Sequence, residues 1–409
     1  MGENLPRNLV VAQSGGPTAV INSSISGIVT EATKSTRVEG IYGAINGILG
    51  VLKEDLVDLR REDPNSIQRL RQTPSAALGS CRYKLNERDY DRLLEVFRAH
   101  NVGYFLCAGG NDSMDTAHKV AQLAESKNYE LQVIGVPKTV DNDLMATDHC
   151  PGYGSVARFN ATATRDSGLD TEAIYTSDTI KIMETMGRDT GWITASTALG
   201  KDGEDGAPHL IYLPERPFIA ESFLEDVKNI YDRLGRAVIC VCEGLKNEKG
   251  EFLKASSKGL DTDKFGHAQL GGVGEYLVNL ISNQLKIKAR CDKPGTIQRV
   301  SMLCASQVDL SEAHEVGQFA LSRAIEGESD KMVTLTRKSD DPYVSEKGLV
   351  DLEEVALRTK KVPEIFINKK SNYVTDSFLK YSGPLIGGPL PPYAHLKKER
   401  LQKHLPQYM

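Results

Sequence analysis

The stretch Gly103–Asp143, GYFLCAGGNDSMDTAHKVAQLAESKNYELQVIGVPKTVDND, decides the fold. Its two short apolar runs, Tyr104–Ala108 and Leu131–Val136, read as buried parallel strands. Between them a helical pattern runs from about Ser113 to Ser126, with Ala117, Val120, Ala121 and Ala124 on one apolar face. The unit is therefore βαβ, and each strand ends in a polar loop: Gly109-Gly110-Asn111-Asp112-Ser113 and Pro137-Lys138-Thr139-Val140-Asp141-Asn142-Asp143. In an open parallel sheet, ligands bind beyond the carboxyl ends of the strands. The two loops thus bring glycines, carboxylates, an amide and a lysine to one crevice. Glycines let backbone N–H groups approach an anion, oxygen ligands suit Mg²⁺, and a lysine offers phosphate a point charge. Either loop alone also reads as an ordinary turn with a helix cap. Two of them on adjacent strands favour a phosphate–metal centre.

Outward from this unit, strand and helix alternate. Asn8–Gln13 is a strand that enters Ser14-Gly15-Gly16-Pro17-Thr18 and then a helix from about Ala19 to Ala32, an order suited to anions. It contains neither the G-x-G-x-x-G of dinucleotide folds nor the P-loop pattern. Val38–Ala44 is a second strand, and Arg82 and Lys84 fall in what reads as a solvated loop. A second α/β series follows Cys150-Pro151-Gly152. Strand Thr179–Thr185 exits through Met186-Gly187-Arg188, and strand Ala237–Cys242 exits through Glu243-Gly244. Lys246–Gly266 reads as a polar loop, and Arg290, Lys293 and Arg299 crowd one short segment. The fold class is α/β with mainly parallel sheets. The tail from about Asp340 reads as an appendix over the outside of a lobe.

Composition sets bounds on function. With 40% apolar and 26% charged residues the chain has the make-up of a globular protein, and its net charge of −5 argues against general nucleic-acid binding. No apolar run approaches the ~20 residues of a membrane span, and no secretory signal pattern stands at the start. Seven cysteines without a Cys-x-x-Cys pair fit a reduced, cytoplasmic protein, and eight histidines without ligand spacing argue against zinc.

Taken together and in order, Gly15-Gly16, Gly109–Ser113, Lys138–Asp143, Met186–Arg188, Glu243-Gly244 and Gln298-Arg299 resemble the phosphofructokinases over most of residues 8–330. The resemblance implies phosphoryl transfer to the 1-hydroxyl of fructose 6-phosphate. It also implies two Rossmann-like lobes with the active site in the cleft between them. Residues 1–150 with about 298–340 would form the phosphate lobe, 151–297 the sugar-phosphate lobe, and about 341–409 a C-terminal extension. A homodimer or homotetramer is implied. ATP users in the family carry Gly-Gly-Asp-Gly-Ser in place of Gly109–Ser113 and glycine in place of Lys138, so the chain looks like the pyrophosphate branch. Asp112 fills and repels where a nucleotide's α-phosphate would sit, while Lys138 serves a small, highly charged donor.

By this resemblance Asp141, Lys138 and Asp112 are catalytic, with Asp141 accepting the proton of the sugar hydroxyl. Gly15, Gly110, Asp112 and Lys138 would bind pyrophosphate. Asn111 would sit at Mg²⁺, with Asp143 in support. Thr139, Val140, Asp141, Lys181, Met186, Gly187, Arg188, Glu243, Arg290, Thr296, Ile297, Gln298 and Arg299 would hold the sugar phosphate. The chain departs from the ATP-dependent pattern at Asn111, usually a metal-associated aspartate, and at Thr296, usually a histidine. Thr179 stands where an arginine reaches a neighbouring subunit's substrate, and Lys181 is a substitute on the same strand face. Ser26 and Thr30 replace the arginines that bind nucleotide effectors. The rivals are an ATP-dependent enzyme of the same fold and a sugar-phosphate sensor, which would need no proton acceptor. A dinucleotide oxidoreductase lacks its glycine fingerprint here.

A positioned base is worth ~10²–10⁴-fold in rate, so Asp141→Asn should lose that much turnover while still binding the sugar phosphate. Steady-state kinetics beside equilibrium binding measure this. Near-native turnover would remove Asp141 from the role.

Overall fold

The computed structural model describes residues 5–253 and 272–405. Residues 254–266 of the loop expected at Lys246–Gly266 lie outside that range. Strands β1 (Arg7–Gln13), β2 (Val38–Ala44), β3 (Leu56–Asp58), β4 (Val102–Gly109) and β5 (Gln132–Pro137) belong to one sheet. So do β10 (Lys331–Asp340) and β11 (Tyr343–Asp351). That sheet has seven strands in the order β11-β10-β5-β4-β1-β2-β3. Strands β6 (Ile180–Thr185), β7 (Leu210–Tyr212), β8 (Ala237–Cys242) and β9 (Ala289–Asp292) form a second sheet, in the order β7-β8-β6-β9. All pairings in the second sheet are parallel. In the first, only β3 and β11, both at edges, run antiparallel.

The apolar runs explain this arrangement. Every residue of β4, β6 and β8 is buried, as sheets covered by helices on both faces require. The Asn111–Ser126 helix lays Ala117, Val120, Ala121 and Ala124 onto one core, beside Phe97 and Phe105. On the other face, the Ile21–Ala32 and Gln307–Ile325 helices pack together. β1 lies between β2 and β4, so the chain leaves β1 toward one side and β4 toward the other. That divergence opens a crevice at their carboxyl ends.

Two expectations need correction. The chain does not leave the first sheet near residue 340, because β11 pairs along β10 from Lys331↔Asp351 to Asp340↔Tyr343. Nor is the remaining tail confined to an outer surface. Phe366, Phe378 and Tyr381 cluster around Trp192 at the second sheet, where apolar burial holds the tail inward. β3, β9 and β11 escape sequence reading. β3 is short, and the charged β9 and polar β11 are only partly buried, so no apolar run marks them.

The two halves share buried polar joints. Asp309, on the Gln307–Ile325 helix, accepts from Gly152 N and Ser155 N at 2.8 Å each, and so caps the Tyr153–Ala173 helix. His149 stands between Asp148 (2.8 Å) and Glu312 (2.6 Å), whose charges hold it protonated, with its pKa raised to about 9 despite burial. Ser26, on the Ile21–Ala32 helix, is buried and not displayed to solvent.

The contact between the Ile21–Ala32 and Gln307–Ile325 helices depends on two glycines. A Cβ at Gly27 would fall 2.0 Å from His314 O, and one at Gly317 would fall 2.1 Å from Ser24 O. Gly317→Ala should therefore destabilise the fold by about 1–3 kcal/mol, the usual cost of forcing atoms into a packed contact. A urea midpoint equal to that of the parent protein would contradict the packing argument.

Candidate active site

A cleft of about 770 Å³ opens between the carboxyl ends of the two sheets. Its first wall is built by the turns after β1, β4 and β5. Gly15 has φ +75, a conformation that glycine adopts without strain. Lys138 reaches across from the end of β5 and donates to Gly16 O at 2.8 Å. A Cβ at Gly16 would meet Arg299 Nη1 at 2.8 Å, so lysine and arginine both press on this turn. Gly110 caps the Asn111–Ser126 helix, whose first turn offers backbone N–H groups and positive potential to an anion. A Cβ at Gly110 would come no closer than 3.7 Å to any protein atom, so the space it would take belongs to the cleft. Asp112 lines the same wall, partly exposed.

The turn after β5 carries the carboxylates. Thr139 Oγ1 accepts from Asp141 N at 3.1 Å, and Thr190 Oγ1 donates to Asp141 O at 3.2 Å. Between Asp141 and Asp143, Asn142 takes φ +53, in the left-handed region. Burial, then Asp143 and Glu243 nearby, raise the Asp141 pKa to about 7, against the pull of Arg188 and Lys138. Burial and Arg299 lower Lys138 to about 8. Asp143 is also pushed up by burial. It accepts from Asn111 Nδ2 at 2.8 Å, while Asn111 Oδ1 and Asp143 Oδ1 are both buried without a hydrogen-bond partner. The free oxygens of one hydrogen-bonded Asn–Asp pair fit a hard divalent cation such as Mg²⁺.

The second sheet builds the facing wall. Arg188 takes φ +42 and Gly187 φ +141. A Cβ at Gly244 would lie 1.4 Å from Arg188 O, so only glycine lets the turns after β6 and β8 lie together. Glu243 lines the cleft beside them, its pKa raised by burial and by Glu184. Gln298 Oε1 accepts from Met186 N at 3.3 Å and Asn160 Nδ2 at 3.2 Å, and Gln298 Nε2 donates to Gly295 O at 2.8 Å. Gln298 thereby orients the Thr296–Arg299 segment against Met186.

Sixteen of the expected residues therefore line one cleft: Gly15, Gly110, Asn111, Asp112, Lys138, Thr139, Val140, Asp141, Asp143, Met186, Gly187, Arg188, Glu243, Thr296, Gln298 and Arg299. Three do not. Lys181 pairs with Asp292 (3.1 Å) and Asp170 (3.5 Å), Arg290 pairs with Asp178 (2.8 Å), and Ile297 is 56% exposed. Lys181 and Arg290 are register partners near the starts of β6 and β9, whereas the cleft lies at the strand ends. Arg82 and Lys84 are exposed in a loop, as expected, and Arg82 also lines the cleft, close enough to disfavour the charge of Arg299. Sequence reading also missed Glu184 and Lys293, paired at 2.6 Å, and Leu357 and Thr359 from the tail. Only the charge of Lys293 within its cationic segment signalled any of these.

Ionising Asp141 in this setting costs stability. Its folded pKa of about 7 lies above the ~3.9 of an exposed aspartate, so the cost grows as pH rises between those values. Asp141→Asn should therefore raise the melting temperature of the ligand-free protein at pH 8, by about a few degrees. The gain should shrink as pH falls below 7. A gain equal at pH 8 and pH 5 would contradict this charge argument.

The Phosphofructokinase family profile matches residues 8–323. Pyrophosphate–fructose 6-phosphate 1-phosphotransferase of Xanthomonas campestris pv. campestris (strain B100) is 42% identical, over 98% of this chain and 99% of that protein. The protein of the same name from Halomonas elongata is 41% identical over the same shares of each chain. The crystal structure of the pyrophosphate-dependent phosphofructokinase from Marinobacter aquaeolei superposes with a TM-score of 0.85 at 40% identity, over 98% of both chains.

Proposed function

The chain belongs to the phosphofructokinase family, and we propose that it moves a phosphoryl group from inorganic pyrophosphate to the 1-hydroxyl of fructose 6-phosphate. The products are fructose 1,6-bisphosphate and phosphate. The observation that carries this reading is the pair Lys138 and Asp112 on the phosphate wall. Lys138 is anchored on Gly16 O, and Asp112 occupies the first turn of the Asn111–Ser126 helix.

Pyrophosphate lies against the Gly15-Gly16 turn and the N-terminus of that helix. Fructose 6-phosphate lies on the opposite wall, with Glu243 accepting from sugar hydroxyls and Arg188 and Arg299 toward its phosphate. Asp141 takes the proton of the 1-hydroxyl, and the freed oxygen attacks the nearer phosphorus. The bridging P–O bond breaks and phosphate leaves. A pKa of about 7 suits this role, because a base poised near the working pH is ionised yet still basic. Lys138 offsets charge building on the transferring and leaving groups. Asn111 and Asp143 would hold Mg²⁺, whose charge adds to that effect.

Lys181 and Arg290 serve the sugar phosphate in this reading only from a second copy of the chain, since they face away from their own cleft. Exposed Ile297 and Leu303, 56% and 99% accessible, suit such a contact between copies. A cytoplasmic setting rests on the cysteines, all seven of them free.

The deciding experiment measures kcat/KM for pyrophosphate and for ATP in the parent enzyme, Asp112→Gly, Lys138→Gly and the double variant. The parent should use pyrophosphate. Asp112→Gly should weaken that use and admit some ATP. Lys138→Gly should depress pyrophosphate turnover without admitting ATP, because Asp112 still repels the nucleotide. The double variant should shift furthest toward ATP, and not by simple addition, because both residues face one pocket. A parent that prefers ATP would overturn the reading of both residues.

A further inference from the structure

Beyond the 8–323 span matched by the family lies a segment that enters the cleft. After the short helix Leu352–Val355, the chain crosses from the first sheet toward the second, with Leu357 and Thr359 in the cleft wall. Lys360 N donates to Asp143 O at 2.7 Å. Lys360 Nζ donates to Thr147 O (3.0 Å) and Asp148 O (2.8 Å) and sits 5.4 Å from the ring centroid of Trp192. The carbonyl of Lys360 accepts from Trp192 Nε1 at 3.0 Å. Two residues on, Val362 N donates to Glu215 Oε1 at 3.0 Å, the oxygen that also accepts from Gly191 N at 2.9 Å. A second residue of the tail grips the same turn. Tyr381 Oη accepts from Asn142 Nδ2 at 2.9 Å and donates to Asp148 O at 2.8 Å, while its ring stacks on Phe366.

We propose that the strap Leu357–Val362 is part of the active site, with Lys360 and Tyr381 as positioning residues for the Asp141–Asp143 turn. Three carbonyls and one side-chain amide between Asn142 and Asp148 are held by these two residues. Asn142 has φ +53, a conformation that a non-glycine residue keeps only when its surroundings enforce it. The strap's other contacts end on Trp192 and on Glu215, whose Oε1 also accepts from Gly191 N, just after the Met186–Arg188 turn of the sugar wall. It therefore sets the distance from base to sugar, not merely the shape of the loop. The proposal rests on reading Asp141 as the base.

The test uses the full-length enzyme with pyrophosphate and fructose 6-phosphate. It compares the parent with Lys360→Met, which keeps the aliphatic stem, with Tyr381→Phe, which keeps the ring, and with Asp141→Asn. Misplacing a base by about 1 Å costs up to about 10²-fold, so both strap variants should lose about 10-fold or more in kcat with KM for either substrate little changed. A purely structural role would instead lower the melting temperature and leave kcat per folded enzyme at the parent value. If Lys360→Met fails to fold, Tyr381→Phe carries the comparison alone. Loss of activity in Asp141→Asn with parental kcat in the folded strap variants would overturn the strap and spare the base. An active Asp141→Asn would overturn the base, and the strap proposal with it.

Discussion

A buried ammonium at Lys138 ties together the turns that face pyrophosphate in the proposed reaction. It leaves the end of β5, lies against Gly15 and ends on Gly16 O, 2.8 Å away. Burial and the neighbouring Arg299 work against its charge, and Asp141 works for it. Burial and Asp143 push Asp141 toward protonation, and Arg188 and Lys138 draw it back. Both groups are left within reach of neutral pH. Removing any one of these charges therefore disturbs the others.

Close backbone approach is the second constraint. Gly244 against Arg188 O leaves no room for a side chain, and Gly152, at φ +114, packs tightly on Thr139 O. These contacts let turns from two sheets and several strands meet in one cleft. Farther out, Gly27 and Gly317 bring the Ile21–Ala32 and Gln307–Ile325 helices into backbone contact. Asp309 on the second of those helices caps the Tyr153–Ala173 helix. The packing of the first lobe is thus coupled to the orientation of the second.

The base turn draws its order from distant parts of the chain. Thr139 and Thr190 hold Asp141 from either side of the cleft, and Lys360 and Tyr381 hold the residues after it. A carboxylate that must stay buried and near another carboxylate needs such restraint, because mutual repulsion and the pull of solvent both favour moving it out.

Much of this was legible in the sequence. The apolar runs of β1, β4, β5 and β8 are read without tertiary information, because strands buried on both faces are mostly apolar. The carboxyl-end rule then puts Gly15, Gly110, Lys138 and Asp141 at one crevice, and the family resemblance brings Arg188 and Glu243 to it. What only the tertiary structure decided lies in polar segments. Charged β9 and polar β11 are strands because neighbours supply their hydrogen bonds, not because of their own pattern. Arg82 faces the cleft, Lys181 and Arg290 turn from it, and Lys360 arrives from 217 residues beyond Asp143 (360 − 143). A charge has no periodicity that tells which way it points. Its direction follows from the carboxylates and carbonyls that the rest of the chain folds against it.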